Sequence, residues 1–106
     1  MGNVTFADAR TVADLMAKGE ATLVDVREPH EHAAERIPGA RLVPLSAFDP
    51  AKALPEPGKQ LVFHCAAGVR CGVASQIMQA SGYKDDILRV AGGIKAWRAE
   101  GLPTEL

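Results

Sequence analysis

Cys65 and Arg70 are the residues of this chain best suited to nucleophilic chemistry, with Gly68 between them. They follow the apolar run Leu61-Val62-Phe63-His64, which reads as a strand, and they precede a stretch that reads as a helix. That order sets one thiol at the carboxyl end of a strand, facing the backbone N–H groups of a helix start. A thiol there loses its proton easily, and the loop can hold an anion. The free thiol pKa of about 8.5 falls by several units in such surroundings, and the thiolate is the nucleophilic form. Gly68 can adopt positive φ, which lets successive N–H groups converge. Ala66, Ala67 and Val69 contribute backbone only, and Arg70 offers a guanidinium at the rim. The loop holds no Asp or Glu, hence no local general acid. A leaving group that departs as a stable anion, such as sulfite from thiosulfate, fits that lack. An alkoxide leaving a phosphate ester fits it badly, because it usually needs a proton.

The elements that must position this loop follow from pattern. Ala7–Lys18 reads as an amphipathic helix, with a capping box over Thr5–Asp8 and Phe6, Val12, Leu15 and Met16 at near-helical spacing. Ala21–Val26 is an apolar run without alternation, suited to a strand buried on both faces. Arg27–Arg36 reads as a charged loop with at most a short helix, and Ile37–Ala40 as a turn. Arg41–Pro44 reads as a short strand, and Leu45–Gly58 as a Pro-rich surface connection with room for one helical turn. Lys59–His64 and Asp86–Val90 read as strands. Arg70–Ser81 reads as a helix with Val73, Ala74, Ile77 and Met78 on its apolar stripe. Gly93–Glu100 reads as a helix with Ile94 and Trp97 inward. Alternation of strands and helices implies an α/β fold with a parallel sheet covered on both faces. Ligands of such sheets sit at the carboxyl ends of strands, where Cys65 falls.

At this point a family resemblance emerges. Cys65–Arg70 resembles the C-x-x-G-x-R active loop of the rhodanese family, the thiosulfate and persulfide sulfurtransferases. Leu23-Val24-Asp25-Val26-Arg27-Glu28 resembles the family's first strand motif, Asp-Val-Arg with a following acid. Arg36-Ile37-Pro38-Gly39-Ala40 resembles its His-Ile-Pro-Gly-Ala segment, with Arg36 in the usual His place and Glu35 in the usual Gly place. Ala91–Trp97 resembles its Gly-Gly-x-x-x-Trp helix start. Four ordered motifs, from about Thr5 to Trp97, are far more specific than the loop alone.

The resemblance implies one rhodanese-like domain over residues 1–106, built on a central five-stranded parallel sheet. It implies that Cys65 takes sulfur from a donor as a persulfide and passes it to a thiol or to cyanide, in two half-reactions with no other cofactor. The residues implied to bind the transferred sulfur are Ala66, Ala67, Gly68, Val69, Arg70 and Cys71, with Asp25 and Arg27 bracing the loop through hydrogen bonds. Related phosphatases and arsenate reductases carry five residues between Cys and Arg. Four lie between Cys65 and Arg70 here, a smaller cradle suited to a single sulfur. A persulfide carrier without turnover and a partner-binding module stay open beside the enzyme.

Two readings of Cys71 also stay open. It is a small residue that fits the first helical turn, or a resolving thiol able to attack the persulfide or to form a disulfide with Cys65. Arg70 either binds a donor's sulfonate or ties the loop to a carboxylate. His64, next to the nucleophile but facing the opposite way, reads as packed beneath the loop, and His30 and His32 read as solvated. Two cysteines and three scattered histidines are a poor zinc set, so no metal is expected.

Composition narrows the partners. The 106 residues are 47% apolar and 24% charged with a formal net charge of −1, which speaks against nucleic acid. No run of about 18 apolar residues exists to span a membrane. The start of the chain lacks the basic and apolar blocks of a signal peptide, and two cysteines do not make a disulfide framework. A reduced cytoplasmic protein is expected, exchanging sulfur with a small donor and a thiol acceptor or with a protein partner.

Overall fold

The computed structural model describes residues 2–106. Two apolar segments decide its centre. β2 (Ala21–Asp25) and β4 (Gln60–His64) are buried along nearly their whole length and pair in parallel from Ala21↔Gln60 to Asp25↔His64. β5 (Ile87–Val90) flanks β4 on its other side. β1 (Val4–Ala7) lies outside β5 and β3 (Arg41–Leu42) outside β2, so five parallel strands run in the order β1-β5-β4-β2-β3.

Side chains alternate along each strand, and each face receives its own layer. Leu23, Val62 and Val90 meet Ala9 and Val12 of α1 (Ala9–Ala17) and Ile94 and Trp97 of α4 (Gly93–Ala99). Val24, Leu61, Phe63 and Ile87 meet Cys71, Ala74 and Met78 of α3 (Arg70–Ala80) on the opposite face. Among the described residues no helix is long and apolar enough to cross a membrane.

Three local expectations are corrected: the start of the first helix, the apolar stripe of the third, and the number of turns in the Pro-rich connection. Thr5 and Phe6 do not cap or extend the first helix. They belong to β1, which pairs with β5, and the cap is Asp8, whose carboxylate accepts from Thr11 N–H at 2.8 Å. Pairing with a strand more than 80 residues away along the chain overrides the local capping pattern. On α3 the buried stripe is Cys71, Ala74, Ser75 and Met78, and Val73 is exposed. The loop ahead of α3 fixes its rotation, and Ser75 tolerates burial because its hydroxyl donates to the Cys71 carbonyl at 2.7 Å. The charged segment after β2 holds only a short helix, in line with its reading: α2 (Pro29–Ala34), started by Pro29 and by a capping box between Glu28 and Glu31. The Pro-rich connection forms two 3-10 turns, Leu45–Ala47 and Pro50–Ala53, the second with Ala53 fully buried.

Candidate active site

β4 ends at His64, and α3 begins at Arg70, so residues 65–69 close a short loop over the carboxyl edge of the sheet. α3 has no side-chain N-cap. The sulfur of Cys65 takes that role: Gly68 N–H donates to it at 3.0 Å, and the backbone amides of Cys71 and Arg70 also favour its charge. Gly68, at φ 100°, makes the turn that allows this, a conformation that L side chains rarely adopt. The Cys65 thiol is pulled down to about 5, first by the neighbouring Cys71 side chain and then by these amides, against a burial that opposes ionisation. The proximity of the Cys65 sulfur, with burial, drives the Cys71 thiol strongly upward. Cys65 therefore carries the charge and Cys71 the proton. Both are buried, Cys65 at 1% exposure.

The loop carbonyls are held from outside. Ile94 N–H donates to the Cys65 carbonyl at 2.9 Å, and Lys95 N–H to the Ala66 carbonyl at 3.3 Å. The start of α4 comes this close only because residue 93 is glycine. A Cβ there would stand 2.3 Å from the Cys65 carbonyl oxygen, and its φ of 59° disfavours any side chain. Arg89 of β5 donates from Nη2 to the Gly68 carbonyl at 2.7 Å. In a planar trans peptide the C=O and N–H point opposite ways. Carbonyls pinned outward leave the N–H groups of Ala66, Ala67 and Val69 directed to the inner side of the loop. Among the described residues these three amides have no protein acceptor.

Arg70 folds back onto a carboxylate. Its Nη1 and Nη2 donate to Glu31 Oε1 and Oε2 at 2.7 and 3.0 Å. This ion pair holds the Glu31 carboxyl down at about 2 and raises the already high Arg70 value. Deeper, Asp25 accepts from Arg27 N–H and Nε through Oδ1 at 2.9 and 3.0 Å, and from Arg27 Nη2 through Oδ2 at 2.8 Å. Burial pushes the Asp25 carboxyl up, but the bonds from Arg27, the nearby His64 and the bond with His32 outweigh it, and the net direction is down. Arg27 Nη2 also donates to the Glu35 carbonyl at 2.7 Å, which ties both ends of α2 into the brace.

The structure brings the sequence-derived residues together: Cys65 through Cys71 form the loop and helix start, and Asp25 and Arg27 lie at the end of the adjacent strand. His64 is fully buried, and burial lowers its pKa. His30 is exposed as expected, whereas His32 is not free in solvent: its Nδ1 lies 2.8 Å from Asp25 Oδ2. The capping box that starts α2 turns His32 inward, a placement no local pattern carries. Sequence reasoning also passed over Arg89. Its signal was a lone cation inside the apolar strand Ile87-Leu88-Arg89-Val90, just ahead of the glycine pair.

The geometry has known counterparts. Residues 8–100 match the model of the rhodanese-like domain family. An uncharacterized protein of Synechocystis is 38% identical over 102 residues, covering 96% of this chain but 56% of its own length, so the chain spans little more than half of that relative. A sulfurtransferase of Allochromatium vinosum is 31% identical over 97 residues, 91% of this chain and 90% of that protein. The crystal structure of a rhodanese-related protein from Thermoplasma volcanium superposes with a TM-score of 0.80 at 30% identity, over 96% of this chain and 98% of the other. With the family model matched over most of its length, a sulfurtransferase among its relatives and a rhodanese-related protein sharing its fold, this chain belongs to the rhodanese family.

Proposed function

We propose that this chain is a sulfurtransferase that carries sulfur as a persulfide on Cys65. The observation that carries the reading is the Cys65 sulfur seated at the start of α3, with Gly68 N–H at 3.0 Å and three loop amides still open beside it. The Cys65 thiolate attacks the outer sulfur of thiosulfate, the S–S bond breaks, and sulfite leaves with its electron pair. The new Cys65 persulfide keeps one negative charge on its terminal sulfur, which the amides of Ala66, Ala67 and Val69 are placed to receive. An acceptor thiolate then attacks that sulfur, takes it away as a persulfide and restores the Cys65 thiolate, and cyanide would leave as thiocyanate by the same route. No step needs a separate cofactor. Such chemistry suits a reducing compartment such as the cytoplasm, with a low-molecular-weight or protein thiol as acceptor.

The surroundings favour sulfur over a phosphate ester. The carboxylates that brace the loop, Asp25 and Glu31, are both engaged by arginine and held ionised, so neither offers a proton to a leaving alkoxide. Sulfite needs none.

Incubation with thiosulfate followed by mass spectrometry is the direct test. One added sulfur on the peptide containing Cys65, discharged by cyanide or glutathione, is the expected result. Steady-state turnover with double-reciprocal lines parallel across acceptor concentrations should accompany it. Undiminished turnover by Cys65→Ser would overturn the reading. Loading and discharge without steady-state turnover would identify a carrier instead, and release of phosphate from an aryl phosphate would point to a phosphatase.

A further inference from the structure

The side chain of Arg89 enters the loop from below. It lies on the α3 side of the sheet, with its guanidinium carbon 4.2 Å from the centre of the Phe6 ring. Above it α3 carries glycine at position 72, where a Cβ would stand 3.0 Å from Nη2. Nη2 reaches the Gly68 carbonyl at 2.7 Å. Its Nε is buried without a partner, and among the described residues no carboxylate pairs with it. Arg70 differs in just this respect, because Glu31 neutralises it.

We propose that Arg89 is a positioning residue for the sulfur-bearing loop: it pins the Gly68 carbonyl outward, so that the Val69 N–H of the same peptide faces the sulfur, and it places an unneutralised positive charge beneath an anionic site. Phe6 and Gly72 serve this placement. The aromatic face attracts a guanidinium, and the missing side chain at 72 gives it room. Its charge lies close enough to the loop to favour ionisation of the neighbouring Cys71 thiol, against the larger effects of Cys65 and burial that keep that thiol protonated. A cation in a partly buried site without a counter-ion favours an anionic neighbour more than a paired one does.

The role in turnover rests on the sulfur-transfer reading, but the role at the thiolate does not, and the two are separable by experiment. The pH dependence of Cys65 alkylation by iodoacetamide is read on its tryptic peptide, which Lys59 and Arg70 delimit apart from Cys71. In Arg89→Met the alkylation midpoint should rise by about one pH unit. Sulfur transfer at neutral pH should drop by about tenfold, chiefly in kcat, with the persulfide shorter-lived. Arg89→Lys, which keeps the charge and one donor, should recover most of the midpoint. A folded Arg89→Met with the wild-type midpoint and persulfide lifetime would overturn the proposal. Should Arg89→Met fail to fold, Gly72→Ala carries the test alone. Alanine favours the helix but crowds the guanidinium, so the midpoint should rise in a protein at least as stable as wild type, and an unmoved midpoint overturns the proposal. Unchanged alkylation shifts in a protein that never gains sulfur would instead break the sulfur-transfer reading and leave the role of Arg89 standing.

Discussion

The two strands that flank β4 brace the same loop by opposite means. At the end of β2 the work is done by charged side chains, each matched: Asp25 with Arg27 and His32, Glu31 with Arg70. At the end of β5 it is done by backbone: the glycine pair lets α4 bring two N–H groups against the loop carbonyls, and one arginine without a carboxylate completes the set. The matched side fixes where the loop stands, because buried ion pairs are costly to separate. The backbone side fixes which way its peptides face, and so where negative charge is welcome. Placement and polarity of the site therefore come from different neighbours.

The β5 side should break first. Gly93→Ala puts a Cβ 2.3 Å from the Cys65 carbonyl oxygen and 2.6 Å from the Ala66 carbonyl, both backbone atoms that cannot swing away. The loop must shift, and its inward N–H groups with it. Turnover should fall by at least about a thousandfold, as for loss of oxyanion donors, and denaturant melts should show a loss of about 2–4 kcal/mol. A variant with wild-type activity would show that the approach of α4 does not orient the loop.

Asp25→Asn breaks the β2 side. It leaves the guanidinium of Arg27, 5% exposed, without its counter-charge. A loss of about 3 kcal/mol is expected in chemical unfolding, with a smaller effect on turnover because the loop amides stay in place. The same carboxylate predicts a pH signature. Its folded pKa lies below the unfolded value of about 3.9, so its contribution is full above about pH 4 and is lost as pH falls through the folded value. Wild type should lose stability over that acid range, and the difference between wild type and Asp25→Asn should shrink with it.

How far these neighbours were legible depends on whether their partners are close in the chain. Cys65 to Cys71 is one continuous stretch, and its spacing alone carried the thiol, the amide cradle and the size of the loop. Asp25 and Arg27 were legible for the same reason, two residues apart at a strand end. β1 was not, because its four residues are strand only by virtue of β5, and Thr5 to Asp8 satisfies a capping pattern just as well. His32 and Arg89 find their partners across the fold, so the sequence shows a charge but not what it faces. Cys71 lies between these cases. Its position was plain, and its effect on the Cys65 thiol needed the curl of the loop.

That role separates the two cysteines. Cys71 keeps its proton beside the Cys65 sulfur and favours the charge there. Cys71→Ala should raise the alkylation midpoint of Cys65 by about one pH unit or more, whereas Cys71→Ser, which keeps a donor, should preserve turnover. Alkylation of wild-type Cys65 should stay level from pH 7 to 9 and fall only as pH approaches about 5. Loss of turnover in Cys71→Ser, with accumulation of a Cys65–Cys71 disulfide in wild type under donor, would restore the resolving thiol.

The mildest change tests whether the matched side also restrains the rim. Glu31→Gln removes the charge that holds both terminal nitrogens of Arg70, while an amide oxygen can still accept from Glu28 N–H and keep the start of α2. Both partners are partly exposed, so stability should change by no more than about 1 kcal/mol. Arg70 then becomes free to meet a sulfonate, and the KM for thiosulfate should fall several-fold with little change in kcat, the mark of binding gained equally in the ground state and the transition state. An uncharged or cationic persulfide donor should show no such gain. Equal responses to both donors would mean that Arg70 ties the loop down and has no part in recognising the donor. The β2 side would then be brace alone, and the whole of the anion preference would rest on the amides and arginine of the β5 side.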